Sequence, residues 1–152
     1  MNTADAQNLT AAFTVDQTPE EAFAAINNVR GWWSGEIEGC TDKLGDEFTY
    51  RYKDVHYSRQ KVTELRPGKK VVWLVLEGYL NFVQDKTEWT GTEIAFEISR
   101  KGDKTEVLFT HLGLVPASEC FGACSSAWGF YITGSLRSLI TTGKGEPNQK
   151  AA

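Results

Sequence analysis

The chain has 152 residues, 41% hydrophobic and 24% charged, with 16 basic against 20 acidic side chains and a formal charge of −4. That length fits one domain with a core of its own, and that apolar content excludes intrinsic disorder. The acidic balance leaves no basic footprint for nucleic acid or an anionic membrane surface, and no apolar run approaches the length of a membrane span.

The opening stretch MNTADAQNLT is polar, without a basic segment leading into an apolar one, so it does not read as a signal peptide and the expected location is cytoplasmic. Three cysteines, Cys40, Cys120 and Cys124, form no disulfide framework and read as free thiols. The glycosylation signal at Asn8 has no role in such a compartment. The expected domain runs over 8–146, with tails 1–7 and 147–152 that fray.

Leu9–Val15 reads as a first strand. In TPEEAF, Thr18 is a helix cap, Pro19 takes the first helical position and Glu21 stands three residues after the cap. Ala22, Phe23 and Ile26 make the apolar stripe of a short helix ending near Asn27 and Asn28, followed by the unusual pair Trp32–Trp33. Residues 35–39 predict a brief strand. In GDEFTYRY, Phe48, Tyr50 and Tyr52 alternate with polar residues, the mark of a strand with one buried face. A strand over 57–65 turns at Pro67–Gly68 into KVVWLVLE, which is apolar on both faces and therefore central. Ile94, Phe96 and Ile98 alternate again. KGDK makes a hairpin into Thr105–His111, which puts Val107, Phe109 and His111 on one face.

From Ala117 to about Thr142 no proline intervenes, and Phe121, Cys124, Trp128, Ile132, Leu136 and Leu139 recur at steps of three or four, predicting one long amphipathic helix stopped at Gly143. Strands followed by a segregated helix predict an α+β domain, with the helix laid across one face of an antiparallel sheet.

Four stretches carry a family resemblance: TPEEAFAAINN leading into GWWSGEIEG, RPGKKVVWLVLEG, TEVLFTHLGL, and SSAWGFYITGSLRSLITTGKG. In their order and spacing, over about residues 9–146, the chain resembles the helix-grip superfamily of START-like and birch-pollen-allergen-like proteins, called SRPBCC. Within it, the chain is most similar to the branch named for activators of the heat-shock protein 90 ATPase. The resemblance implies a curved sheet wrapped around the C-terminal helix, with a hydrophobic cavity between them. Carried onto this chain, Trp33, and Trp32 less directly, wall that cavity, while the plainer role for either ring is a core plug.

To Trp33, which the resemblance supplies, the alternation expected for the strands and helix adds Phe48, Tyr50, Tyr52, Trp73, Phe96, Phe109, His111, Cys124, Trp128 and Ile132 as candidate lining, with Glu88–Thr90 as a lip. The expected ligand is a small, largely apolar molecule. Two other functions stay open. One is an enzyme acting on such a ligand, of cyclase, hydratase or hydrolase type; the other is a co-chaperone-like role. The chaperone activators carry a further N-terminal domain to which nothing here corresponds.

No catalytic residue, metal site or cofactor is implied. Two histidines, no HExxH and no CxxC argue against zinc, Cys120 and Cys124 lack an evident third ligand, and TTGKGEP departs from a phosphate-binding loop. His111 is expected at a strand end, either tied to the protein structurally or polarised by a carboxylate such as Glu119. Val72, Leu74 and Leu76, on the outward face of the central strand, are too apolar for a bare surface and point to a homodimer contact or a covering loop.

Overall fold

The computed structural model describes residues 8–34 and 36–147. Among them, seven strands form one antiparallel sheet: β1 (Leu9–Val15), β2 (Glu38–Gly39), β3 (Glu47–Tyr52), β4 (His56–Arg66), β5 (Lys70–Leu80), β6 (Glu93–Lys101) and β7 (Lys104–Leu112), in the order β1-β7-β6-β5-β4-β3-β2. The sheet curves around the C-terminal helix, the helix-grip α+β arrangement. The tails expected to fray lie outside the described residues except for Pro147, and so does Gly35 at the start of the short strand expected over 35–39, which is formed by Glu38–Gly39.

Local chemistry sets the elements. Helix α1 (Pro19–Asn27) opens with a reciprocal cap: the Glu21 amide donates to Thr18 Oγ1 at 3.1 Å, and the Thr18 amide donates to Glu21 Oε1 at 3.0 Å. A second short helix, α2 (Val29–Trp32), ends in the tryptophan pair. Strand β5 lies in the middle of the sheet. Its residues Val71, Trp73 and Val75 face the core, while Leu74 and Leu76 are half-buried on the outer side. Strand β4 is longer than the stretch expected at 57–65 and begins at His56.

The end of β5 runs past β6, whose pairing stops at Leu74–Glu93. The segment over residues 81–92 folds back along this free edge. Gly91 donates to Val75 O at 2.8 Å, Val75 to Thr92 O at 2.9 Å, and Gly78 to Thr90 Oγ1 at 3.0 Å. An edge that would be left unpaired is thus covered by its own connection.

The C-terminal helix starts at Phe121 rather than at Ala117, and it is not uniform. Helix α3 (Phe121–Gly129) passes into a π-helical segment (Phe130–Leu136) and then α4 (Arg137–Thr142), which stops at Gly143 with φ +82°. The buried stripe is Cys124, Trp128, Ile132, Leu136 and Ile140, every fourth residue; Phe121 and Leu139, expected in it, are only partly buried. In an α-helix four residues overshoot a full turn by about 40°, so a strict four-residue stripe would wind off the sheet within three steps. The wider π turn takes back that drift and keeps the stripe on the sheet.

Candidate functional site

The tryptophan pair divides its work. Trp32 is fully buried, with its indole N–H donating to Ile26 O at 3.1 Å and its ring 6.2 Å from Trp73 and 5.8 Å from Phe96. It is a core plug. Trp33 stacks face to face on Tyr50, centroids 4.2 Å apart at 8°. From this pair a chain of rings continues: Trp128 lies 5.1 Å from Trp33, and Trp89 stacks on Trp128 at 5.8 Å and 11°. Each such pair adds about 0.5–1.5 kcal/mol beyond simple burial.

These rings bound a partly open recess of about 210 Å³ between the sheet and α3. Trp33, Tyr50, His56, Trp89, Cys124 and Trp128 form its walls, and Phe82, half-exposed, stands at its mouth with Ala123 and Ala127.

Of the expected lining, the structure brings Trp33, Tyr50, Cys124 and Trp128 onto the recess. Phe48, Trp73, Phe96, Phe109 and Ile132 are buried in close-packed core away from it, Phe48 against Trp73 at 5.0 Å and Phe96 against Phe109 at 5.4 Å. Rings at that spacing fill the middle of the grip, and the recess lies at the end near Trp89. Tyr52 lies where β3 runs beyond the core; it is exposed and faces an outer groove with Phe130 and Tyr131. The stretch expected as a lip, 88–90, instead puts Trp89 into the wall, 2% exposed.

His111 is fully committed. The Trp128 indole N–H donates to His111 Nδ1 at 3.1 Å, so the ring proton sits on Nε2, which donates to Thr92 Oγ1 at 2.8 Å. The Thr92 hydroxyl in turn donates to Trp89 O at 2.6 Å. Burial pushes His111 down to about 3, helped by the nearby His56, and keeps it neutral. The carboxylate expected to polarise it is elsewhere: Glu119 accepts from the Gln84 and Asp85 amides at 3.1 and 2.8 Å. Glu88 answers from the facing segment, accepting from the Glu119 and Cys120 amides at 2.7 and 3.1 Å. The two carboxylates exchange caps across the seam and hold the 81–92 segment against the start of α3.

His56 is the residue that sequence reasoning passed over. It opens β4, touches Trp89 edge to face at 4.4 Å and Tyr50 at 4.9 Å, and its Nε2 is buried without a hydrogen-bond partner. Burial alone pushes it down to about 3. A signal was present: His56, Ser58, Gln60 and Val62 alternate, and Ser58, Gln60 and Val62 are all buried, so His56 shares the inward face of β4.

Cys120 and Cys124 lie one turn apart at the start of α3, both buried, whereas Cys40 is exposed. The hydrogen bond from the Cys120 thiol holds Cys124 below the ordinary thiol range, and the Trp89 indole acts in the same direction against the effect of burial. Cys120 is held above that range by its bond with Cys124 and by burial.

Neither a family model nor a curated protein matches this chain. Solved structures do. The Aha1 dimer from Colwellia psychrerythraea superposes with a TM-score of 0.72 at 26% identity, over 91% of this chain and 99% of that one. This is a helix-grip chain of the SRPBCC superfamily, Aha1-like in its fold. Protein SSP2350 from Staphylococcus saprophyticus matches at 13% identity over 94% and 98% of the two chains, TM-score 0.69. DynU16, from the dynemicin biosynthetic locus, matches at 12% identity over 93% of this chain and 50% of its own, TM-score 0.68. At those identities the last two establish fold alone. Among the described residues of this SRPBCC chain, no helix is long and apolar enough to cross a membrane.

Proposed function

We propose that the chain binds a small aromatic molecule in the recess between β4, the 81–92 segment and α3. The observation that carries this reading is the pairing of an apolar, ring-walled recess with an unsatisfied imidazole nitrogen, His56 Nε2. Filled to interior density, about 210 Å³ takes roughly ten non-hydrogen atoms, the size of a fused two-ring aromatic. Flat faces at Trp33 and Trp128 suit a planar guest. A neutral imidazole offers it one hydrogen bond, worth about 0.5–1.5 kcal/mol. Acid–base catalysis by His111 is disfavoured, because both its nitrogens are already engaged.

Calorimetric titration with 2-naphthol and naphthalene tests the reading. The hydroxyl compound binds tighter by roughly three- to tenfold, and His56→Phe removes that preference while leaving naphthalene binding in place. Absence of binding by both compounds to the wild-type chain would overturn the proposal.

For a macromolecular partner we propose a second copy of this chain, joined through the outward face of β5 around Val72, Leu74 and Leu76. In support, the Colwellia neighbour is described as a dimer.

A further inference from the structure

We propose that Cys124 is a covalent capture site for small, apolar α,β-unsaturated ketones, with Cys120 as its proton-donating partner. The inference rests on the recess admitting apolar molecules, as proposed above, and adds to it a chemical step at one wall. Three observations carry it. Cys124 lines the recess, so an electrophile lying between Trp33 and Trp128 has a sulfur beside it. Cys120 sits one turn earlier, fully buried, with its amide pinned to Glu88, which fixes the second thiol behind the first. The Trp89 indole N–H is buried without a hydrogen-bond partner on the recess wall it shares with Cys124, and it favours the thiolate at both cysteines.

An orphaned N–H beside a thiol pair is costly against neutral sulfur, a weak acceptor, and is satisfied when negative charge forms there. The thiolate is the nucleophile of cysteine chemistry, so an arrangement that favours it on the recess-lining member of the pair, Cys124, arms that sulfur. A soft sulfur in an apolar recess selects a soft, apolar electrophile over a charged one.

The step balances without an oxidant. Cys124 loses its proton to solvent, and Sγ attacks the β-carbon of the enone, forming a C–S bond. The C=C π bond breaks and its electron pair passes to the carbonyl oxygen as an enolate. The α-carbon then takes a proton from the Cys120 thiol, which recovers one from solvent. In sum, S–H adds across C=C, and the protein gains the whole mass of the enone.

The test uses the full chain carrying Cys40→Ser, which removes the exposed thiol, incubated with benzylideneacetone and read by intact mass. One adduct is expected. It is abolished by a further Cys124→Ser, retained but formed several-fold more slowly with Cys120→Ala, and slowed likewise by Trp89→Phe. Melting curves of each variant report whether it is folded. The saturated analogue benzylacetone, titrated by tryptophan quenching, reads the recess without the chemistry. Binding of the analogue with no adduct from the enone, while the unfolded chain reacts, would overturn the capture site alone. Neither binding nor adduct would overturn the recess reading as well, and an adduct that survives Cys124→Ser would place the chemistry elsewhere and reject the proposal.

Discussion

Gly78 shows how one missing atom shapes the site. A Cβ there would stand 2.5 Å from the Cβ of Trp89, well inside contact distance, although the backbone itself is unstrained. Glycine is what lets the 81–92 segment lie close enough on β5 for Trp89 to reach Trp128. Gly78→Ala is therefore expected to lower stability by about 1–3 kcal/mol, the usual cost of overpacking, and to shift tryptophan emission as Trp89 is pushed outward. Denaturant unfolding measures the first and fluorescence the second; an alanine variant as stable as the parent, with unchanged emission, would show that the slot has slack.

The two histidines, by contrast, could not be ranked from sequence. His111 announces itself by closing an alternating strand, yet the structure uses up both its nitrogens. The unsatisfied nitrogen belongs to His56, which sits in a polar, unremarkable-looking run. What separates them is the bonding of His111 to Thr92 and Trp128, both distant from it in the chain.

Strands with one polar and one apolar face were legible because alternation is a local signal: Tyr50 against Phe48, and Ile94, Phe96 and Ile98 along β6, fall where the pattern puts them. The beginning of the C-terminal helix was not legible. Its cap is Glu88, some thirty residues upstream, and no local residue caps α3 with its side chain. Residues after Pro116 instead form a turn in which Ser118 Oγ accepts from the Val115 amide at 3.1 Å. The π turn was half-visible: a four-residue apolar spacing from Cys124 to Ile140 is too regular for an α-helix to keep on one face.

The exchanged caps make a specific prediction. Glu119→Gln keeps the size of the side chain but weakens the charged acceptor for the Gln84 and Asp85 amides. Hydrogen exchange at those two amides should accelerate while the β6–β7 ladder stays protected. Glu88→Ala should cost about 1 kcal/mol, as loss of a helix cap does. Equal exchange in the parent and the Glu119 variant would mean that the segment is held by Trp89 packing alone.

Burying two neutral imidazoles in one hydrophobic neighbourhood ties the stability of the fold to pH. Both are held at about 3 in the folded chain, against about 6.5 when exposed. Above pH 6.5 neither state is protonated and the shifts have no effect. Below it the unfolded chain takes up protons that the folded chain refuses, so stability falls with pH, by up to about 1.4 kcal/mol per unit for each histidine, until the folded values are reached. Exposed carboxylates titrate mostly below pH 5, so the window from 6.5 to 5 isolates the histidines. Urea unfolding across that window should show a steep loss, and His56→Phe should roughly halve the slope. A flat profile would mean that the buried imidazoles accept protons in place.

The outward surface of β5 poses the remaining question of assembly. Val72 is already screened by its neighbours, among them Glu64, Lys70, Glu93 and Glu97, while Leu74 and Leu76 are half-buried and Leu112 on β7 is exposed. This is a short apolar strip inside a charged frame, the layout of a protein–protein contact with a polar rim. Because an isologous contact places the same strip on both partners, one substitution strikes the interface twice. Leu74→Glu at mid-strand sets like charges against each other across a two-fold axis, yet leaves each sheet's inward face untouched. Sedimentation velocity should therefore give a dimer for the parent chain and a monomer for the variant, with a melting curve that no longer depends on protein concentration. A parent chain that sediments as a monomer at every concentration would assign the strip to the sheet's own packing, with Glu64 and Lys70 as its cover.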